Sequence, residues 1–117
     1  ARREAEDRFT ALVRNSSDVI LICGGAGQLR FATSSAERVF GLPPSALAGR
    51  NIAELVVTED RGRLKAALGG ELRQRGASAT LELRVPRGGE RMRVIEVVAT
   101  NLEDEPAVAG CVLNVRD

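Results

Sequence analysis

The apolar residues of this chain change their spacing twice, and the order of these changes restricts the fold more than any other feature. Strand-like patterns cover residues 19–33, helical spacing covers 34–72, and strand-like alternation returns from Ala77 onward. The alternation is clearest from Thr80 to Pro86, where apolar and charged side chains follow one another. Helices that lie together between two groups of strands predict an α+β fold with one antiparallel sheet.

Glycine-rich and acidic breaks divide the two strand-forming regions into five strands. The stretch from Gly24 to Gly27 is interpreted as a hairpin turn rather than a phosphate-binding loop, because no Lys-Ser/Thr pair follows and the next element is a strand. Further breaks lie at residues 87–90 and 103–106. The predicted strands are 19–23, 28–33, 80–86, 91–102 and 108–115.

Capping signals predict several short helices and one longer helix between the strands. Ser34 and Glu37 form a capping-box pattern for a helix that stops at Gly41, and Asn51 is predicted to cap another short piece. One further helical turn is predicted between these two pieces. Three short helical pieces therefore occupy residues 34–57. Thr58 is predicted to cap a longer helix, whose apolar stripe reaches residue 72.

Residues 1–15 are predicted to form a short amphipathic helix that flanks the rest of the chain. Its apolar stripe consists of Ala5, Phe9, Leu12 and Val13. This stripe is the candidate interface of a homodimer, since a helix this short gains most of its stability from burying such a face. Alternatively, the stripe packs on the sheet of its own chain.

Several kinds of function are excluded or disfavoured by composition. The 117 residues contain no His, so Ser-His and Cys-His catalysis and His metal sites are excluded, and two Cys that are far apart in the sequence do not predict zinc. The net charge is +1, and the basic residues are scattered, so no nucleic-acid partner is expected. No apolar run is long enough for membrane insertion. The chain begins at Ala1 without a signal-peptide pattern, and we expect an excised piece of a longer, cytoplasmic protein.

Particular stretches of the chain resemble the Per-Arnt-Sim (PAS) family of sensor domains. The matching stretches are residues 9–22, 35–41, 47–55, 59–61 and 101–117. The resemblance implies a five-stranded antiparallel sheet in the order 2-1-5-4-3, cupped by short helices and one longer helix. It places the sensor domain at residues 16–117, after a flanking helix at 1–15. It also implies a regulatory module of a larger, bacterial-type signalling protein that acts on a downstream output domain.

The departures from the family pattern concern coloured cofactors. Flavin-binding light sensors of this family carry a reactive Cys after the second cap, where this chain has Ile52 and Ala53. Haem-binding members carry a His on the long helix, and this chain has none. The three Phe, without Trp or Tyr, offer little stacking surface for a flat cofactor. We therefore expect neither haem nor flavin.

The resemblance also implies which side chains line a cavity between the sheet and the helices. The candidates are Leu21, Cys23, Phe31, Val39, Phe40, Ile52, Leu55, Leu64, Leu68, Leu113 and Val115. A ligand there would be small and mainly apolar, for example a fatty acid, with at most a carboxylate near Arg50 or Asn51. Alternatively, these side chains fill one another's space as core, because apolar periodicity does not distinguish the two cases.

The two cysteines are expected to face each other if the family's sheet order holds. The first and fifth strands are then antiparallel neighbours, and a register that pairs Val19 with Val115 also pairs Cys23 with Cys111. We predict two buried free thiols that act as small apolar groups, since opposed Cβ atoms are farther apart than a disulfide prefers. Redox sensing is the alternative.

Two classes of function remain. The leading hypothesis is a sensory module in which a small apolar ligand or a partner contact is coupled to an output domain. The alternative is an interaction module that forms a homodimer without a ligand. An enzyme is not expected, because its acid–base chemistry would depend on carboxylates such as Glu82 or Glu96, which are better interpreted as solvated strand residues.

Overall fold

One antiparallel sheet is the central element of the fold. The computed structural model describes residues 19–88 and 91–117, so the predicted flanking helix, with Ala5, Phe9, Leu12 and Val13, lies outside the described residues. The five strands lie in the order β2-β1-β5-β4-β3, as predicted. Their bounds are Val19–Cys23 (β1), Leu29–Ala32 (β2), Ser78–Gly88 (β3), Arg91–Leu102 (β4) and Gly110–Arg116 (β5).

The helices lie in sequence between β2 and β3. The α-helices are Ala36–Phe40 (α1), Pro44–Leu47 (α2) and Thr58–Gly69 (α3), and 3-10 helices span Ile52–Leu55 and Glu71–Arg73. The predicted cap at Asn51 is confirmed, because its side chain accepts a hydrogen bond from the Ala53 N–H at 3.0 Å. Two other predicted caps are wrong: Ser35 rather than Ser34 precedes α1, and Thr58 is already the first residue of α3. The N-cap side chain makes no capping hydrogen bond in either helix.

The hydrophobic core lies between the helices and one face of the sheet. Leu21 and Leu113 pair across β1 and β5, and both are completely buried. Leu64 of α3 and Leu83 of β3 belong to the same core cluster. Burial of this apolar inner face provides the main driving force for folding.

A bulge in β1 and β2 changes which side chains enter the core. Ile22 pairs with Phe31, whereas Cys23 pairs with Leu29, so Arg30 is an extra residue on β2. An extra residue reverses the alternation between the two faces. The prediction that Phe31 points toward the helices is therefore wrong: Phe31 is 40% exposed on the outer face, and Leu29 takes the inner position with 2% exposure.

Both edges of the sheet are bound by other parts of the chain. At β2, the Gly49 N–H donates to the Leu29 carbonyl at 2.8 Å, and the Leu29 N–H donates to the Arg50 carbonyl at 2.8 Å. At β3, the Val57 N–H donates to the Arg84 carbonyl at 2.9 Å, just before α3 begins. These contacts satisfy edge groups that would otherwise pair with another strand.

Candidate functional site

The side chains predicted to line a cavity come together in the interior, except for Phe31. All of the others are buried members of the core cluster: Leu21, Cys23, Val39, Phe40, Ile52, Leu55, Leu64, Leu68, Leu113 and Val115. They come from the inner face of β1 and β5 and from three helical pieces, namely α1, the 3-10 helix Ile52–Leu55 and α3. That these side chains form a ligand site, rather than packed core alone, stays a prediction.

The two predicted polar contacts are engaged in loop structure. The exposed Arg50 donates through Nε to the Ala46 carbonyl at 2.9 Å. The Asn51 Nδ2 donates to the Ala26 carbonyl at 2.9 Å, and its Oδ1 accepts from Ala53. Asn51 therefore links the glycine-rich turn to the 3-10 helix Ile52–Leu55. Both Nδ2 and Oδ1 of its side-chain amide already have a hydrogen-bond partner.

A surface groove reaches the core at the end of α3. Its volume is about 440 Å³, and we call it the end groove; its lining is Gly25, Leu68, Gly69, Leu72, Arg73, Glu103 and Cys111. Leu68, Leu72 and Cys111 are buried core residues, whereas Arg73 and Glu103 are exposed at the rim. The end groove thus joins an apolar floor to one positive and one negative side chain.

The buried Asn101 of β4 holds both sides of the end groove in place. Its Nδ2 donates to the Leu72 carbonyl at 2.7 Å, and its Oδ1 accepts from the Glu103 N–H at 2.9 Å. Asn101 is 1% exposed, so losing either bond would leave a buried polar group unsatisfied. Sequence reasoning selected Leu68 but missed Leu72, Arg73, Glu103 and Asn101; an isolated Asn that follows an apolar strand pattern was the available signal.

Two facing thiols form part of the groove floor and the core behind it. Cys23 and Cys111 are paired in the β1–β5 ladder, which confirms the predicted register. Burial, and then the neighbouring Cys111, raises the pKa of Cys23 to about 12. Burial, and then the charge of Glu103, raises the pKa of Cys111. Both sulfurs are therefore neutral thiols at physiological pH and weak nucleophiles.

Metal and membrane sites are not apparent in the part of the chain that the structure describes. Residues 19–88 and 91–117 contain no group of three or more Cys, Asp or Glu that could hold a metal ion. None of the helices within these residues is long and apolar enough to cross a membrane.

Comparisons with known proteins agree with this architecture. The family model described as the PAS fold matches residues 13–117. The PAS domain of an HTR-like protein from Haloarcula marismortui is 21% identical with a TM-score of 0.75, and the match covers 98% of each chain. A domain of a sensory box sensor histidine kinase/response regulator from Geobacter sulfurreducens is 19% identical with a TM-score of 0.76, covering 95% of this chain and 92% of that one.

A third similar structure contains a small ligand. It is the PAS domain, in complex with ethanol, of a LuxR-family transcriptional regulator from Burkholderia thailandensis. It is 14% identical with a TM-score of 0.71, and the match covers 93% of this chain and 96% of that one. No curated protein matches the sequence. Structural likeness at these identities shows the fold, and the family model covers most of the sequence; the chain therefore belongs to the PAS family.

Proposed function

We propose that this domain is a sensory module of a larger signalling protein and that it binds a small, mainly apolar ligand in the end groove. The observation that carries the proposal is the continuity between the groove and the core. Leu68, Leu72 and Cys111 offer an apolar floor to a hydrocarbon group, and Arg73 at the rim offers a donor to a hydroxyl or carboxylate. The ethanol complex of the Burkholderia thailandensis domain supports a ligand of this small size.

The position of β5 supports a route from the groove to an output domain. Cys111 lies at the groove end of β5, and Asp117 follows its other end, about 20 Å away at the usual rise of a strand. β5 is the central strand, with β1 on one side and β4 on the other. A ligand that moves Cys111 therefore acts on the strand that leads to the C-terminal end of the domain.

The first experiment is an NMR titration of the protein with ethanol, 1-butanol and hexanoate. We expect saturable shifts at Leu68, Leu72 and Cys111, with hexanoate also affecting Arg73. Leu68→Trp should abolish them by filling the groove, whereas Ala66→Trp, at an exposed position of the same helix, should leave them intact. Arg73→Ala changes an exposed side chain and should weaken hexanoate binding alone.

Two results would contradict the ligand proposal. One is the absence of saturable shifts at the groove with all three compounds. The other is the same response in the Leu68→Trp and Ala66→Trp variants. The first result would mean that the end groove takes none of these compounds, and the second would mean that binding does not depend on the space beside Leu68.

A self-association module is the second candidate function, and the outer face of the sheet favours it. Met92 and Val94 of β4 are each 51% exposed there, and neighbouring exposed apolar side chains are a feature of contact surfaces. Light scattering tests this candidate: Phe9→Asp and Val94→Asp should each convert a dimer into a monomer. A dimer unchanged by both substitutions would exclude these surfaces, and a monomeric wild-type protein would exclude the candidate.

A further inference from the structure

A second cleft, rich in arginine, lies at the opposite end of β5 from the end groove. It has a volume of about 460 Å³ between α1 and the C-terminal part of β5. Its charged lining consists of Arg38, Arg87, Arg93, Arg116, Glu37 and Asp117. The described part of the lining thus carries four guanidiniums and two carboxylates, although the whole chain is nearly neutral. We call this the arginine cleft.

Two of these guanidiniums are held close together by the last carbonyls of α1. Arg87 donates through Nη1 to the carbonyls of Arg38 at 2.9 Å and Val39 at 3.0 Å. Arg93 donates through Nη1 to the same Arg38 carbonyl at 2.7 Å. The two Nη1 atoms therefore lie within two hydrogen-bond lengths of each other. Within residues 19–88 and 91–117, neither arginine donates to an acceptor through Nε or Nη2, so this part of the chain leaves these nitrogens to a ligand.

A carboxylate already occupies part of this cleft. Oδ2 of Asp117 lies 3.3 Å from Nη1 of Arg93, whose side chain is only 29% exposed. This contact shows that an oxyanion fits beside Arg93. It supplies one negative charge to two adjacent guanidiniums, and within the described residues Glu37 makes no ion pair with either of them. The helix end adds partial negative charge through its carbonyls, but the described lining residues of the cleft still carry more positive than negative charge.

We propose that the arginine cleft is an oxyanion-binding site, in which Arg87 and Arg93 hold a phosphate or carboxylate group in competition with Asp117. Guanidinium groups suit both anions, because two parallel N–H donors match two oxygens of either one. The site is separate from the end groove, and this inference does not depend on the ligand proposed there. An anion that displaces Asp117 would free the residue that follows β5.

Calorimetric titration of the 117-residue protein tests the proposal, with phosphate and succinate as probes and chloride at equal ionic strength as the reference. Arg87→Gln and Arg93→Gln should each weaken binding about tenfold or more, the usual effect of losing a charged hydrogen bond. Arg61→Gln is the matched control, since Arg61 also donates to a backbone carbonyl, that of Val56, but lies outside the cleft. It should change the dissociation constant less than twofold.

Asp117→Asn is expected to change the dissociation constant of the anion in the opposite direction. A folding defect would not tighten binding. Removing the competing carboxylate should tighten binding severalfold. Binding of phosphate alone, of succinate alone or of both supports the proposal and identifies the accepted group. The proposal is overturned if neither probe binds, if Arg61→Gln weakens binding as much as Arg93→Gln, or if Asp117→Asn fails to tighten it.

Discussion

The carboxylate of Asp60 accepts three hydrogen bonds from Arg84, namely from its backbone N–H at 2.8 Å, from Nε at 3.2 Å and from Nη2 at 2.9 Å. Asp60 lies in the first turn of α3 and is 2% exposed, whereas Arg84 lies on the edge strand β3. Arg63 contributes a further bond to Asp60 at 3.1 Å and donates to the Glu82 carbonyl at 2.8 Å. These bonds join the long helix to the edge of the sheet.

Replacing this buried carboxylate should weaken the fold. We expect Asp60→Asn to lower the free energy of unfolding by about 2 kcal/mol, because the bonds from Arg84 lose their charged acceptor. Asp104→Asn is the matched control, since Asp104 pairs with Arg75 at 3.2 Å while both side chains are mostly exposed. Denaturant unfolding measures both effects, and equal losses in the two variants would contradict the role assigned to Asp60.

The same carboxylate predicts a pH dependence. Hydrogen bonds from the Arg84 side chain hold the pKa of Asp60 well below its ordinary value of 3.8, although burial acts in the opposite direction. A carboxylate whose pKa is lower in the folded state than in the unfolded state stabilises the fold. This stabilisation is complete above the unfolded-state pKa and is lost as the pH falls toward the folded-state pKa. The difference in stability between wild type and Asp60→Asn should therefore be constant above about pH 5 and shrink as the pH falls below that value. A difference that does not change down to acid unfolding would contradict this linkage.

The two facing cysteines should be unreactive while the protein is folded. Burial raises the pKa of Cys23 to about 12, so almost none of this cysteine exists as thiolate at pH 8. Titration with a thiol reagent should show no fast labelling in the folded state and two reactive thiols after denaturation. Fast labelling of one cysteine, or loss of both under mild oxidation, would favour redox sensing instead.

Two glycines should respond in opposite directions to replacement by alanine. A Cβ at Gly110 would lie 2.5 Å from the Cys23 carbonyl oxygen and against Nη2 of Arg30. Gly110→Ala should therefore lower the free energy of unfolding by roughly 2 kcal/mol or more. Gly62 lies within α3 with open space around it, so Gly62→Ala should raise the free energy of unfolding by roughly 0.5–1 kcal/mol. Thermal unfolding compares the two, and a tolerated Gly110→Ala would mean that β1 and β5 adjust at this point.

Local patterns predicted a large part of the fold. The return of alternation after residue 77 placed β4 at 91–102, the bounds that the structure shows. The facing cysteines could be predicted because the resemblance to the PAS family made β1 and β5 neighbours, and one antiparallel pair then determines every other pair along the two strands. Asn51 was identifiable as a cap, since its bond to Ala53 spans only two residues.

Contacts between distant residues were decided by the tertiary structure alone. The bulge that turns Phe31 outward depends on how β2 pairs with β1, and the sequence of β2 alone does not show that Arg30 is an extra residue in that pairing. The link from Asp60 to Arg84 spans 24 residues, and the arginine cleft brings together Arg38 of α1, Arg93 of β4 and Asp117, which follows β5. The sequence by itself determined the elements, because these follow from local spacing, and its resemblance to the PAS family indicated most of the inner face. Charged groups were paired only by the packed fold, since long polar side chains on a surface have no periodicity that specifies their partners.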